Sequence, residues 1–106
     1  MKTLYYLDIN YEYDSPFYWF LNQSGFCYLY FKTRKEGFKT LKEFVKDIKA
    51  RYKKTLKCEA KNKNVLSIAL YKGIVSDDFD ESQDDFYEAS CENYHAVEER
   101  YLCGRW

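Results

Sequence analysis

A row of apolar residues with helical spacing is the feature of this sequence that most constrains its fold. The row consists of Leu41, Phe44, Val45, Ile48 and Tyr52. At about 100° per residue these side chains fall on one side of a helix, and that side must be buried against another layer of secondary structure. Thr40 and Glu43 are spaced as a capping box at the helix start. We therefore expect a long amphipathic helix that begins near residue 40.

Two segments before this helix predict strands against which it can pack. Residues 4–13 place apolar side chains on one parity and Asp8, Asn10 and Glu12 on the other, which is typical of a half-buried strand. Residues 26–32 are rich in aromatic residues, which favour strands. We expect this second strand to pair with the first.

A β-hairpin is predicted after the long helix. Residues 56–60 alternate apolar and charged side chains, and residues 65–71 are rich in β-forming residues. The intervening Asn62, Lys63 and Asn64 favour a turn. We therefore expect two further strands, paired antiparallel.

Two shorter helices are expected on either side of these elements. Ser15 offers a capping side chain, Pro16 suits the first helical position, and Gly25 can end a short helix. Residues 90–103 fit a helix that begins at Ser90, although several of their apolar side chains also share one strand parity. Of these two structures we expect the helix.

These elements predict an α+β fold in a single domain, residues 1–106. A small, mostly antiparallel sheet of about four strands would carry the long amphipathic helix on one face, with a short helix and a C-terminal helix added. The length fits one domain of about 100–150 residues. The chain has four glycines and no Gly-rich phosphate-binding loop, so neither a Rossmann fold nor a P-loop is indicated. No cofactor is expected.

The sequence favours a cytoplasmic protein that does not contact a membrane. Asp8 interrupts the first apolar stretch and no small-residue cleavage site follows, unlike a secretion signal. No apolar run approaches the roughly 18 residues needed to span a bilayer. The four cysteines contain no Cys-x-x-Cys pair, so we expect reduced, buried thiols and no zinc site.

Opposite charges are separated along the chain although its formal net charge is zero. Residues 32–63 contain thirteen Lys or Arg and four acids, whereas residues 73–99 contain ten acids and no Lys or Arg. Charges sorted in this way create local fields that govern association more than fold. Both segments are therefore candidates for binding sites.

The acidic segment, residues 76–88, predicts a protein-binding surface. Its carboxylates could imitate the charge of nucleic-acid phosphates, and its aromatic side chains could anchor it in a basic cleft of another protein. The residues assigned to this surface are Asp77, Asp78, Phe79, Asp80, Glu81, Asp84, Asp85, Phe86, Tyr87 and Glu88. Alternatively, the acids could balance the lysines of the long helix within the fold, or only keep the protein soluble.

The long helix offers an alternative binding site, for nucleic acid. Beside its apolar stripe runs a lysine row, which consists of Lys39, Lys42, Lys46, Lys49 and Lys53. These ammonium groups could follow phosphates while nearby tyrosines stack on bases. The sequence contains no RNP aromatic motif, no GXXG clamp and no recognisable helix-turn-helix. Only the charge of the row therefore supports nucleic-acid binding.

Cys91 and His95 form the pattern closest to catalytic or metal chemistry. In a helix they would share a face, as half of a metal site or a thiol–imidazole pair requires. A complete site would also need an orienting group or further ligands. Residues 78–84 resemble the first half of an EF-hand loop, but Gln83 and Ala89 stand where that loop requires Gly and Glu. We assign no catalytic residue and no metal ligand.

In its small size, aromatic content and lack of catalytic motifs, the chain resembles the inhibitors that phages and mobile elements encode against host defence nucleases, including anti-CRISPR and anti-restriction proteins. The resemblance is one of type and rests on no shared motif. It implies a non-enzymatic protein-binding module whose partner is a basic nucleic-acid-binding protein or nuclease. The alternatives are a small nucleic-acid-binding protein and a Cys/His metal or thiol enzyme. The oligomeric state is left open by the sequence.

Overall fold

Four antiparallel strands form one open sheet at the centre of the protein, as seen in a computed structural model that describes residues 1–12, 15–91 and 93–104. The strands are β1 (Lys2–Tyr11), β2 (Leu29–Phe31), β3 (Leu66–Val75) and β4 (Tyr94–Cys103). Their order across the sheet is β2-β1-β3-β4, and every neighbouring pair is antiparallel. The predicted α+β class and the pairing of the first two strands are confirmed. Residue 13, the predicted end of the first strand, lies outside the described residues.

Within the described residues, four helices connect these strands. They are α1 (Pro16–Gln23), α2 (Arg34–Arg51), α3 (Lys53–Lys61) and the single-turn α4 (Phe86–Ala89). The helix α2 crosses one face of the sheet, and Leu41 and Ile48 are fully buried there against Leu7, Ile9 and Leu70. The apolar stripe predicted from the sequence is therefore the contact between helix and sheet.

The short helix α1 forms as its sequence predicts. The Ser15 hydroxyl accepts hydrogen bonds from the backbone N–H groups of Phe17 (3.1 Å) and Tyr18 (3.3 Å), and Pro16 occupies the first turn. Gly25 follows the helix with a φ of +83°, a left-handed conformation that costs glycine little. Ser15 and Gly25 thus define the two ends of the helix.

Helix α2 begins at Arg34, earlier than the predicted start near residue 40, because a different capping box is used. Thr33 and Glu36 repeat the Thr-x-x-Glu spacing of Thr40 and Glu43, and the structure uses the earlier pair. The Thr33 hydroxyl oxygen accepts a 3.2 Å hydrogen bond from the Glu36 N–H and also lies 3.0 Å from the Glu36 carboxylate. The earlier start is favoured because Gly37 continues the buried side of the helix, where it lies against Leu70.

The predicted β-hairpin is wrong, because residues 53–61 form α3 instead of a strand. The Leu56 N–H donates to the Tyr52 carbonyl at 2.9 Å, so the chain bends after α2 and resumes a helix. Leu56 and Ala60, four residues apart, both contact the core beneath the helix. Their spacing satisfied the helical period as well as the strand period, and packing against the sheet selected the helix.

The predicted C-terminal helix over 90–103 is also wrong, since residues 94–103 form β4. This strand pairs along β3 from Gly73 opposite Tyr94 to Leu66 opposite Cys103, with two irregularities in register. The long strand β3 needs hydrogen-bonding partners on both edges, and β1 satisfies only one of them. A strand at this position therefore satisfies backbone groups that a helix would leave unpaired.

The second face of the sheet is covered by the acidic segment. On β1, Leu4 and Tyr6 point away from α2 because side chains alternate between the faces of a strand, and they pack with Val75, Phe79 and Phe86 in a second apolar cluster. Phe86 approaches the sheet so closely that a Cβ atom at Gly73 would lie 2.5 Å from its ring. The sheet thus lies between a basic helical layer and an acidic layer.

Among the residues that the structure describes, no helix combines the length and apolarity required to cross a bilayer.

Candidate functional site

The acidic segment buries its phenylalanines and exposes its carboxylates. Phe79 is 8% and Phe86 1% exposed, so these two residues are structural and not the surface anchors that the sequence suggested. The correction has a simple cause: β1 carries apolar side chains on both faces, and the second face needs a cover. The exposed acids form what we call the acidic face, which consists of Asp77, Asp78, Asp80, Glu81, Asp84, Asp85 and Glu88.

Several of these carboxylates hold the segment in place by local hydrogen bonds. Asp85 caps α4 by accepting from the N–H groups of Tyr87 (2.8 Å) and Glu88 (3.1 Å). Asp84 accepts from the Asp80 N–H at 2.8 Å, and Asp80 accepts from the Ser82 hydroxyl at 2.6 Å. The segment is therefore ordered by its own side chains, and the carboxylates keep free acceptor positions toward solvent.

Hydrogen bonds stabilise the charged form of two carboxylates of the acidic face, Asp78 and Asp80. The Ser76 hydroxyl donates to Asp78 and lowers the pKa of that carboxyl. The hydroxyl and backbone N–H of Ser82 lower the pKa of Asp80 in the same way. Hydrogen bonds to the charged form stabilise it. These two carboxyls therefore keep their negative charge at and well below neutral pH.

No lysine or arginine within the described residues forms an ion pair with the acidic face. The one ion pair of this face in the described part of the chain joins Asp77 to the amino group of Met1 at 3.2 Å, and both groups are largely exposed. The other ion pairs lie elsewhere: Arg34 and Arg100 contact Glu98, and Arg51 contacts Asp47. The balancing of these acids by the lysines of the long helix, considered from the sequence, is therefore absent from this part of the chain.

The lysine row lies on the other side of the sheet. All five of its lysines are exposed; Lys39, Lys42, Lys46 and Lys49 belong to α2, while Lys53 begins α3. The Lys42 ammonium group lies 4.6 Å from the centre of the Phe38 ring, a cation–π contact that holds one side chain against the helix. The structure thus brings together the lysines that sequence reasoning grouped, and it separates them from the acidic face.

Tyr87 ties the acidic segment to the sheet. Its hydroxyl donates a 2.6 Å hydrogen bond to Asp8 on β1, and the Ile9 N–H donates to the same carboxyl at 2.8 Å. Burial raises the pKa of Asp8 despite these two donors. Burial and the adjacent Asp8 charge also raise the pKa of Tyr87 well above its usual range. Tyr87 is therefore half-buried and already engaged, so it is not a free anchor for a partner.

A pocket of about 320 Å³ opens between the acidic segment and the edge of the sheet. Its aromatic wall is formed by Tyr6, Tyr28, Tyr30 and Phe86, and its rim by residues 81–85. Tyr28 and Tyr30 were not predicted to be part of a site. Their spacing places both side chains on the same face of a strand, but it does not show which later segment packs on that face. The segment that completes the pocket with them lies far away along the chain.

Cys91 and His95 do not form the helical pair considered from the sequence. Cys91 has a φ of +50° in a turn, and His95 lies on β4; both side chains are exposed. Within the described residues, no group of three or more His, Cys, Asp or Glu side chains could hold a metal ion. Cys58 is also exposed, whereas Cys27 and Cys103 are buried, so the expectation of four buried thiols is wrong for two of them.

Comparison with known proteins adds no relative. No family model matches the chain, and neither a curated protein nor a solved structure is detectably similar to it.

Proposed function

We propose that this chain is a non-enzymatic binding module, of the kind used as an inhibitor, that docks through its acidic face on a basic nucleic-acid-handling protein. The observation that carries the proposal is the exposure of seven carboxylates on one side of the sheet, none of which forms an ion pair with a lysine or arginine of the described residues. Such a face presents negative charge outward, as a nucleic-acid backbone does.

Charge separation by the sheet supports this role. The lysine row and the acidic face cover opposite faces, whereas charges within one layer would neutralise each other at short range. At physiological salt, fields between exposed charges are screened over about 8 Å. A partner at the acidic face therefore meets mainly the negative layer.

The ordering of the acidic segment also supports a binding role. Asp80, Asp84 and Asp85 fix the local backbone, while Phe79 and Phe86 hold it to the sheet. A surface that is already ordered loses less conformational entropy when it binds. A basic cleft would thus find the carboxylates in a fixed arrangement and would exclude nucleic acid while they are bound.

A charge-matched pair of variants tests the proposal. The test variant combines Asp77→Asn, Asp78→Asn and Glu88→Gln, which removes three charges without touching the hydrogen bonds of Asp80, Asp84 and Asp85. The control variant combines Glu36→Gln, Glu43→Gln and Asp47→Asn on α2, which changes the net charge equally on the basic layer. Partners captured by the wild-type protein from its host are purified and titrated with all three proteins at two salt concentrations.

We expect the test variant to bind the purified partner about tenfold more weakly and with a smaller salt dependence, because each exposed charge contributes about 0.2–1 kcal/mol. The control should bind at least as well as the wild type. Nucleic acid should displace the wild-type protein from the partner. Equal affinity and equal salt dependence for the wild type and the test variant would refute docking through the acidic face.

The lysine row supports a second candidate function, direct binding of nucleic acid. Its five lysines are exposed on one layer, and none of them forms an ion pair with an acid among the described residues. Single-stranded and double-stranded DNA and RNA can be titrated by fluorescence anisotropy at two salt concentrations. The variant Lys42→Gln, Lys46→Gln, Lys49→Gln should bind more weakly, and its salt slope should fall by about 0.7–0.9 for each phosphate that it no longer neutralises.

The matched control for this second candidate is Lys54→Gln, Lys61→Gln, Lys63→Gln, whose lysines are exposed outside the row. It should retain most of the affinity if the row binds the phosphates. Absence of salt-dependent binding by the wild-type protein at micromolar concentration removes the candidate.

A further inference from the structure

The pocket between the acidic segment and the sheet edge combines an aromatic wall with a negative rim. The rings of Tyr6 and Tyr30 lie 4.8 Å apart at 36°, and those of Tyr6 and Tyr28 lie 6.4 Å apart at 32°. Tyr6 is buried, Tyr30 is half-buried, and Tyr28 is 52% exposed at the mouth. The three rings thus form a surface that runs from the floor of the pocket to solvent.

The carboxylates of the rim act directly on this wall. Burial, followed by the charges of Glu81 and Asp85, raises the pKa of Tyr30 to about 12. The same carboxylates make the space above the tyrosine rings electronegative. Among the described residues, no lysine or arginine lines the pocket. Both the π-faces of the rings and the rim therefore attract a positive charge that these lining residues do not supply.

The main chain holds Tyr28 in an unusual position. Its φ is +63°, in the left-handed region that side-chain-bearing residues rarely adopt. Its N–H donates to the Leu7 carbonyl at 2.8 Å, which fixes the turn to β1. The ring at the mouth is therefore attached to the sheet and not to a free loop.

We propose that this pocket receives one arginine side chain of a protein partner, an inference that rests on the binding role proposed above. Its volume of about 320 Å³ lies at the small end of the range of about 300–1,000 Å³ for ligand pockets, which suits a single side chain. A planar guanidinium can stack on a tyrosine ring while its N–H groups bind a carboxylate in pairs. A lysine ammonium group is compact and strongly hydrated, so it matches this combination less well.

A peptide with one positive charge tests the pocket apart from any partner. The probe is acetyl-Gly-Arg-Gly-amide, and the matched probe replaces arginine with the neutral isostere citrulline. Both are titrated at low salt into isotopically labelled protein, with backbone amide shifts as the readout. We expect the arginine peptide to shift the amides of residues 28–30 and 81–86 and to bind at least about tenfold more tightly than the citrulline peptide.

Variants of the pocket complete the experiment. Tyr28→Leu removes the π-face at the mouth and Glu81→Gln removes a rim charge, and each should weaken arginine binding about three- to tenfold. Tyr28→Phe keeps the ring and should bind like the wild type. Trp19→Leu is the control, since Trp19 is equally exposed, at 51%, but lies on α1 outside the pocket. Unchanged amide shifts outside residues 28–30 and 81–86 show that a variant is folded.

Two results would overturn the arginine pocket: equal binding of the arginine and citrulline peptides, or undiminished arginine binding by both Tyr28→Leu and Glu81→Gln. These are distinguishable from failure of the proposed function, because Asp77, Asp78 and Glu88 do not line the pocket. If the triple variant of those residues loses the partner while the peptides bind equally, the pocket is refuted and acidic docking stands. If the peptide binds selectively but that variant keeps its partner affinity, acidic docking is refuted and the pocket stands.

Discussion

The hydroxyl of Tyr87 donates a 2.6 Å hydrogen bond to the carboxyl of Asp8, a residue 79 positions earlier in the chain. Next to this bond the rings of Phe86 and Tyr6 stack with their centres 4.8 Å apart. Polar and aromatic contacts therefore attach α4, and with it the acidic segment, to β1. Stability of the acidic face should depend on these contacts more than on its exposed carboxylates.

Replacing Tyr87 with Phe should destabilise the protein by about 1–3 kcal/mol. The half-buried Asp8 carboxyl loses a donor that water can replace only in part. Urea unfolding at neutral pH measures the change. Tyr94→Phe is the control, because Tyr94 lies in the same aromatic cluster, 5.1 Å from the Tyr87 ring, and its hydroxyl forms no hydrogen bond with the described residues. An equal loss in both variants would contradict the special role of the Tyr87 hydroxyl.

The stability of Asp8→Asn relative to the wild type should rise with pH. Burial first, opposed in part by the Tyr87 hydrogen bond, raises the pKa of folded Asp8 above its usual 3.8. The folded state therefore binds this proton more tightly than the unfolded chain, and wild-type stability falls as pH rises from about 3.8 through the raised pKa. Asparagine does not ionise, so the stability of Asp8→Asn does not fall in this pH range for this reason. Urea unfolding of both proteins at several pH values measures this. If the difference between their free energies of unfolding stays constant from about pH 3.5 to about pH 7, the raised pKa of Asp8 is excluded.

Two threonines distinguish the true start of α2 from the expected one. Thr33→Ala should lower the free energy of unfolding by about 1 kcal/mol because it removes the cap from the Glu36 N–H. Thr40→Ala, in the second turn of the helix, removes no cap and should cost much less. Thermal or urea unfolding of both variants gives the comparison. A larger cost at Thr40 would mean that the helix begins there.

Two of the four thiols should react quickly with a thiol reagent in the folded protein. Cys58 and Cys91 are exposed, whereas burial raises the pKa of Cys27 to about 12 and also raises that of Cys103. The thiolate is the reactive form, so the buried pair is both shielded and protonated. Mass spectrometry after brief labelling at mild alkaline pH should find two modified residues, and Cys58→Ser with Cys91→Ser should abolish them. Rapid labelling of Cys27 would contradict its burial.

Local pattern was enough to predict the elements whose signals agree with one another. In α1, the Ser15 cap, Pro16 and Gly25 all point to the same helix. In α2 the buried Leu41 and Ile48 follow the predicted stripe, but the start was predicted seven residues too late, at the second of two Thr-x-x-Glu boxes. Which box is used depends on Gly37 contacting Leu70 of β3, and that contact joins residues far apart in sequence.

The wrong predictions have the same origin in long-range contacts. The spacing of Leu56 and Ala60 fits a helix as well as a strand, and packing against β4 favours the helix α3. In residues 94–103, Val97 and Tyr101 also fit both periods, and pairing with β3 decided for the strand. Where a segment fits the helical and the strand pattern equally well, its contacts with residues distant in sequence determine which structure forms.

The candidate site was predicted in part. The exposed acids and the exposed lysine row stand where the charge pattern of the sequence indicated. Phe79 and Phe86 were assigned to the surface because the second face of the sheet was not anticipated. Leu4 and Tyr6, apolar residues on the parity assigned to solvent, were the signal that this face is covered.

A sheet with positive charge on one side and negative charge on the other gives a molecule of zero formal net charge a substantial dipole moment. In the electric field of a charged macromolecule, such a protein experiences a torque but only a small net force. It is therefore oriented before it is attracted. Near neutral pH it should be retained by both anion and cation exchangers. Any macromolecule with a strong surface charge would meet this protein already turned to the matching side.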